Sequence, residues 1–198
     1  MNIILASKSP RRTEILNLMN IKHIVIPSKE EEKIEKQLSP EEVVKNLAFQ
    51  KASSIAKDHP NDLVIGSDTI VVINDEILGK PKDYNDAVRM LTLLQDNTHQ
   101  VMTGVSLIKG NYIDTFVDIA DVTFNKMTKE DIKKYLDTDK PFDKAGAYGI
   151  QDEHANFVQK ISGDYYTIMG LPKEKLQNHL DKIIWKHFHI LNIAILWQ

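Results

Sequence analysis

MNIILASKSPRRTEILNLMNIKHIVIP, residues 1–27, contains the signals for a strand, a tight loop, a helix and a second strand. The apolar run Ile3–Ala6 stops at Ser7, and Ser9-Pro10 is typical of a helix N-cap followed by proline at the first helical position. Apolar residues then recur at helical spacing before a β-like run over 23–27. The chain is therefore expected to open with a βαβ unit.

Helical and strand patterns alternate in the rest of the chain. Ser39-Pro40-Glu41-Glu42 predicts a capping box before a long amphipathic helix. Strands are expected at Leu63–Gly66, Ile70–Ile73, Ile77–Leu78, Val101–Ile108, Tyr112–Val117, Ile119–Phe124 and Phe157–Ile161. Further helices are expected at Asn85–Leu94, Thr128–Leu136 and from about Leu171. This order predicts an α/β fold with a mixed, twisted sheet and flanking helices.

Composition restricts the possible functions. The chain has 198 residues, 42% of them hydrophobic, which suits one globular domain. It contains no cysteine, so disulfides, thiolate metal sites and a cysteine nucleophile are excluded. A net charge of -3 gives no broad positive field for a nucleic acid polymer, so a nucleotide partner is expected to be small and bound locally.

The two termini predict a soluble, cytoplasmic protein without a membrane partner. The first positive charges follow a very short apolar run, which is the reverse of the order in a secretory signal peptide. The apolar stretch Ile190–Trp197 is much shorter than the roughly 20 residues that a membrane helix needs.

The segment from Ser7 to Arg12 is the first candidate site. It combines two hydroxyls and three cations with a helix N-terminus, whose N–H groups and dipole favour an anion. The alternative is a capped helix with a basic first turn. Because the dipole disfavours cations at that end, three of them predict a bound anion, with phosphate the natural one.

Asp68 is the second candidate. It lies between two apolar runs, where the strand pattern breaks, so its carboxylate is expected to face a cleft and to hold Mg²⁺ or accept a proton from water. Alternatively, it ends a strand by bonding its own backbone.

Other charged residues extend these two sites. Glu30, Glu31 and Glu32 either supply a second carboxylate to a metal or form a solvated surface. Lys51 lies beside the apolar face of its helix and either pairs with an anion or extends to water. Lys80, between glycine and proline, suits the placement of one charge on a phosphate oxygen. The seven histidines include no HExxH pattern, and none is assigned to zinc.

Five blocks in order resemble the Maf family of nucleotide pyrophosphatases. They are LASKSPRR (5–12), NLAFQKA (46–52), IGSDTIV (65–71), LGKP (78–81) and DKAGAYGIQ (143–151). The likeness covers about residues 3–175, and several blocks in order are more specific than any one short motif.

The resemblance implies a fold like that of inosine triphosphate pyrophosphatases, with two lobes around a cleft, and a homodimer. It also implies cleavage of the α–β phosphoanhydride with release of pyrophosphate. The SDT and YGIQ forms are similar to the branch that acts on dTTP and UTP. The alternatives are a house-cleaning pyrophosphatase for modified nucleotides and a non-catalytic nucleotide-binding regulator of cell division.

The resemblance also assigns roles to residues. Asp68 matches the family's proton acceptor, and Arg11, Thr69 and Gln151 match positions linked with substrate choice. Mg²⁺ or Mn²⁺ is expected beside Asp68 and a loop glutamate, taken as Glu31. The positions that match the phosphate-and-metal site are Ser7, Arg12, Lys51, Lys80 and one of Glu30 to Glu32. The amide of Gln151 is expected to read the carbonyls and ring N–H of a pyrimidine.

Two segments depart from the family pattern. Asp152-Glu153-His154-Ala155 replaces a small glycine-containing turn, and this change is expected to alter the rim of the base pocket. Residues 183–198 match no family ending, so the chain is divided into a single domain at 1–182 and an atypical tail.

Overall fold

The computed structural model describes residues 1–29, 33 and 37–183. The helices are α1 (Pro10–Leu18), α2 (Pro40–Ala56), α3 (Tyr84–Leu94), α4 (Lys129–Asp139) and α5 (Tyr165–Met169), and residues 173–183 are also helical. The strands are β1 (Ile3–Leu5), β2 (Ile24–Val25), β3 (Leu63–Ile73), β4 (Glu76–Leu78), β5 (Thr98–Lys109), β6 (Tyr112–Phe124) and β7 (Val158–Ser162).

Within the described residues, seven strands form one mixed sheet in the order β2-β1-β3-β5-β6-β7, with β4 also paired to β3. The β1 strand is parallel to β2 and to β3, which confirms the expected βαβ opening. The other pairs are antiparallel. The predicted mixed α/β class is confirmed.

The expected break in the strand at residues 67–69 is wrong, because β3 is continuous from Leu63 to Ile73. The polar side chains stay within the strand because they find partners. The hydroxyl of buried Ser67 donates to the carbonyl of Gly170 at 2.9 Å, and the hydroxyls of Thr69 and Thr103 lie 2.9 Å apart. The two strands expected at Tyr112–Val117 and Ile119–Phe124 are likewise one continuous strand, β6. Asp118 stays within it because its carboxylate accepts a hydrogen bond from the hydroxyl of Thr167 at 2.5 Å.

Helix α2 lies directly against β3 and β5. The predicted capping box at its start is present, with Ser39 and Glu42 bonded to each other's backbone N–H groups. A Cβ atom added at Gly66 would lie 2.3 Å from the carbonyl oxygen of Ala48, and one added at Gly104 would lie 2.3 Å from that of Val44. The two glycines therefore allow the helix backbone to approach the sheet closely.

The predicted tail falls mostly outside the described residues. Ile183 is buried in a cluster with Leu176, Leu180 and residues of α1 and β3, and residues 184–198 are not described. The division at residue 182 stays a prediction.

In the part of the chain that the structure describes, no helix is both long and apolar enough to cross a bilayer.

Candidate active site

A pocket opens beside the middle of β3. On one edge of this strand, β1 pairs with Leu63–Ile65 and β4 pairs with Val71–Ile73, so residues 66–70 lie in the interval between the two partners. The interval faces a cavity of about 880 Å³. Most of its lining residues come from the start of α1, the α2 face, β3, the 79–80 loop and residues 143–151. Five segments that are distant in sequence therefore converge on one cavity.

The first turn of α1 forms a cationic wall. Arg12 is buried, and its guanidinium donates to the carbonyl of Gly170 at 2.8 Å, to the hydroxyl of Ser7 at 2.9 Å and to that of Thr69 at 3.3 Å. Ser9 is the N-cap residue, as predicted, but its side chain makes no capping bond, and its N–H donates to the Ser7 hydroxyl at 3.2 Å. Ser7 therefore holds both the turn and the arginine.

Asp68 is central to the pocket. It lies on the face of β3 that packs on α2, and its carboxylate forms an ion pair with the ammonium of Lys51. Both side chains are largely buried, with 14% and 17% of their surface exposed. Of the two alternatives for Lys51, pairing with an anion is the one observed. Because the pair is partly shielded from water, the attraction is stronger than that of a surface pair.

Arg11 and two residues that were not singled out from the sequence form a charged group at the pocket edge. A nitrogen of Arg11 lies 3.4 Å from a carboxylate oxygen of Asp143, and Lys144 Nζ lies 3.5 Å from the other oxygen. Burial raises the pKa of Asp143, but the charges of Lys144 and Arg11 outweigh it, and the net pKa is lowered. Asp143 and Lys144 are the first two residues of the block DKAGAYGIQ (143–151), which carries part of the resemblance to the Maf family.

An aromatic pair supports another wall. The Tyr148 ring lines the pocket, and its hydroxyl is hydrogen-bonded to Nε2 of buried His99 at 2.8 Å. Burial lowers the pKa of His99 from 6.5 to about 4, so the imidazole is neutral near pH 7. Two edge-on contacts with His99, from Phe124 and Tyr148, fix its ring. Sequence reasoning did not single out either member of this pair as a site residue.

The structure brings most of the predicted site residues together. Eight of them line the same cavity: Ser7, Arg11, Arg12, Lys51, Asp68, Thr69, Lys80 and Gln151. Glu30, Glu31 and Glu32 lie outside the described residues, so Glu31 as a metal ligand stays a prediction. The expected change to the rim of the base pocket stays a prediction. Asp152 is not among the lining residues of the cavity, and its carboxylate packs against Gly149, which is.

The donor set can be tested against a divalent cation. Among residues 1–29, 33 and 37–183, no three histidine or carboxylate side chains are grouped as a metal site. Mg²⁺ usually takes only one or two protein carboxylates together with substrate phosphates and water. Asp68, facing a cavity wide enough for a nucleotide and rich in cations for its phosphates, fits that requirement.

The fold and the pocket define a class: a mixed α/β protein with a cationic site around Asp68, suited to hydrolysis of a phosphate-containing substrate. The chain belongs to the family described as Maf-like protein, whose model matches residues 2–183.

Curated relatives carry more detailed names. Proteins named dTTP/UTP pyrophosphatase are 48% identical in Bacillus velezensis, over 90% of this chain and 94% of that protein, and 49% identical in Bacillus cytotoxicus, over 89% and 93%. Among solved structures, the Ham1 protein of Staphylococcus aureus matches with a TM-score of 0.47 and 16% identity, covering 80% of each chain.

Proposed function

We propose that this protein is a nucleoside triphosphate pyrophosphatase that hydrolyses dTTP and UTP to the monophosphate and pyrophosphate. The observation that carries the proposal is the position of Asp68 in a single pocket with Arg11, Arg12, Lys51 and Lys80. The names of relatives that are 48% and 49% identical over most of the chain support the substrate pair.

The cationic residues suit a triphosphate. Arg12 is already held by a carbonyl and two hydroxyls, so little side-chain entropy is lost when it meets a phosphate. Arg11, the neighbour of Arg12 in α1, and Lys80, from the 79–80 loop, line the same cavity. Such preorganised cations stabilise the negative charge that develops when a phosphoanhydride bond breaks.

Asp68 is proposed to position the attacking water and receive its proton, either directly or with the help of a metal ion held beside it. Its ion pair with Lys51 fixes the direction of the carboxylate. A divalent cation held by Asp68, with Glu31 as the proposed second ligand, would supply charge stabilisation at the phosphate oxygens. The water attacks the α-phosphorus, the bond from this atom to the bridging oxygen breaks, and pyrophosphate leaves.

Gln151 is proposed to read the base. Its amide offers one acceptor and two donors. Held in one orientation, it matches the carbonyl and ring N–H of uracil or thymine, whereas cytosine requires the amide to be turned over. Thr69 and Arg11, which line the same cavity, are proposed to contribute to substrate choice. The homodimer, the cytoplasmic location and a role in septum formation stay predictions.

The test is pyrophosphate release across a panel of nucleotides. Purified protein is incubated with dTTP, UTP, CTP, ATP, GTP and modified triphosphates, each with Mg²⁺, with Mn²⁺ or with a chelator. The proposal expects the highest kcat/KM for dTTP and UTP and loss of activity with the chelator. Preference for CTP or for a modified purine would overturn the assigned substrates.

A further inference from the structure

A hydrogen-bonded cluster lies behind the wall that carries Gln151. Tyr135 of α4 is buried, with 2% of its surface exposed. Its hydroxyl donates to Asp152 Oδ2 at 2.6 Å and accepts from the Gly149 N–H at 3.0 Å. One phenol oxygen therefore contacts both sides of the segment between these two residues.

That segment is a tight turn. The Asp152 N–H donates to the Gly149 carbonyl at 3.1 Å, which places Ile150 and Gln151 at the two central positions. The Asp152 carboxylate packs on Gly149 so closely that an added Cβ would lie 2.4 Å from Oδ1. The turn is thus closed by a backbone bond and fixed from behind by Tyr135.

The same carboxylate reaches the cationic part of the pocket. Lys144 Nζ lies 3.4 Å from Asp152 Oδ2, and both side chains are largely buried, with 14% and 12% exposed. Lys144 and Gln151 both line the cavity, whereas Asp152 does not. Asp152 therefore connects a pocket cation with the turn that presents the amide.

We propose that Tyr135 and Asp152 are positioning residues for base selection, which fix the Gln151 turn and tie it to Lys144. This inference rests on the proposed function, because it concerns how that site distinguishes uracil from cytosine. Hydrogen bonds to a base weaken steeply when donor and acceptor are misaligned, so a loosened turn loses discrimination. Arg12, which is proposed to contact the phosphates, is anchored by Gly170, Ser7 and Thr69 and not by this turn, so turnover of the preferred substrate is expected to be preserved.

The main test is Tyr135→Phe, which removes the hydroxyl and keeps the ring that packs edge-on against Phe157, with ring centroids 4.9 Å apart. The measured quantity is the kcat/KM for UTP divided by that for CTP. We expect this ratio to fall by about tenfold, the effect of one disturbed hydrogen bond of about 1.4 kcal/mol, while kcat for UTP stays within about threefold. A smaller active fraction would lower both substrates equally and leave the ratio unchanged.

Tyr84→Phe is the matched control. It also removes a phenol that donates to a carboxylate on α4, Asp137 Oδ1 at 3.1 Å, but this carboxylate lies outside the Gly149–Asp152 turn that Tyr135 contacts. Its UTP/CTP ratio is expected to equal that of the wild type. An unchanged ratio in Tyr135→Phe, or an equal fall in both variants, would overturn the inference.

Asp152 provides an independent pair of variants. Asp152→Ala removes both the acceptor for the phenol and the partner of Lys144, and it is expected to lower the UTP/CTP ratio at least as much as Tyr135→Phe does. Asp152→Asn keeps an oxygen for the phenol and loses only the charge, so its ratio is expected to lie between those of the alanine variant and the wild type. Equal ratios in the alanine and asparagine variants would contradict the proposed link.

Binding of the monophosphates separates this inference from the proposed function. Calorimetry with UMP and CMP reports base selection without hydrolysis, and Tyr135→Phe is expected to reduce the preference for UMP. If the wild type releases no pyrophosphate from any triphosphate, the proposed function fails. If the UMP/CMP preference is the same with and without the hydroxyl, the positioning role fails.

Discussion

At the scale of single residues, Asp68 is the side chain on which the chemistry depends. Asp68→Asn keeps the shape but removes the charge that pairs with Lys51 and the group proposed to take the proton. We expect kcat for UTP to fall by at least about 100-fold, within the range of general-base contributions. Steady-state pyrophosphate release measures this fall in kcat.

Asp75→Asn, in the left-handed β3–β4 turn where asparagine is tolerated, is the control expected to keep wild-type activity. Near-normal turnover by the Asp68 variant would refute the assignment.

His99 gives the protein a pH-dependent stability. The pKa of His99 is lowered by burial to about 4, so the unfolded chain binds more protons than the folded one between that value and 6.5. The contribution of neutral His99 to the free energy of unfolding is therefore complete above pH 6.5 and is lost as the pH falls through 4. The loss amounts to about 3 kcal/mol.

Denaturant unfolding at a series of pH values measures this effect. The decline in unfolding free energy from pH 6.5 to 4 is expected to be smaller in His99→Gln than in the wild type. Tyr148→Phe, which keeps the buried imidazole, should retain the steeper decline. Identical pH profiles for the wild type and His99→Gln would show that the His99 imidazole does not contribute to the pH dependence of the unfolding free energy.

At the scale of elements, the contact of α2 with the sheet places Lys51 opposite Asp68. Gly66→Ala would bring a methyl group to 2.3 Å from the Ala48 carbonyl oxygen, which must displace the helix. The free energy of unfolding is expected to fall by roughly 2 kcal/mol or more, the range of overpacked cores. Chemical denaturation measures it, with Gly79→Ala, which has open space around the added Cβ, as the control. Equal stability in the two variants would mean that the helix has room to move.

Local sequence signals predicted most elements because those signals act over a few residues. The Ser39 capping box and the Ser9-Pro10 start of α1 are examples. The continuous β3 strand was missed because Ser67 and Thr69 are satisfied by Gly170 and Thr103, partners far away in sequence. Local polarity at this position indicates a break, and only tertiary hydrogen bonds remove it.

At the scale of the whole molecule, the site is assembled where β1 and β4 leave part of the β3 edge between them. The residue types alone predict an anion site at Ser7–Arg12 and a separate carboxylate site at Asp68. The resemblance to the Maf family predicts that the two form one site. Spacing along the chain did not reveal that Asp143 pairs with Arg11 across 132 positions, or that Tyr135 supports the Gln151 turn. Those contacts depend on how the sheet, α1 and α4 pack together.

The most direct measurement of the central claim is hydrolysis of UTP in ¹⁸O-labelled water with Mg²⁺, followed by mass spectrometry of both products. Attack on the α-phosphorus beside Asp68 predicts UMP carrying the label and unlabelled pyrophosphate. Label in pyrophosphate, or formation of UDP and inorganic phosphate, would contradict the account.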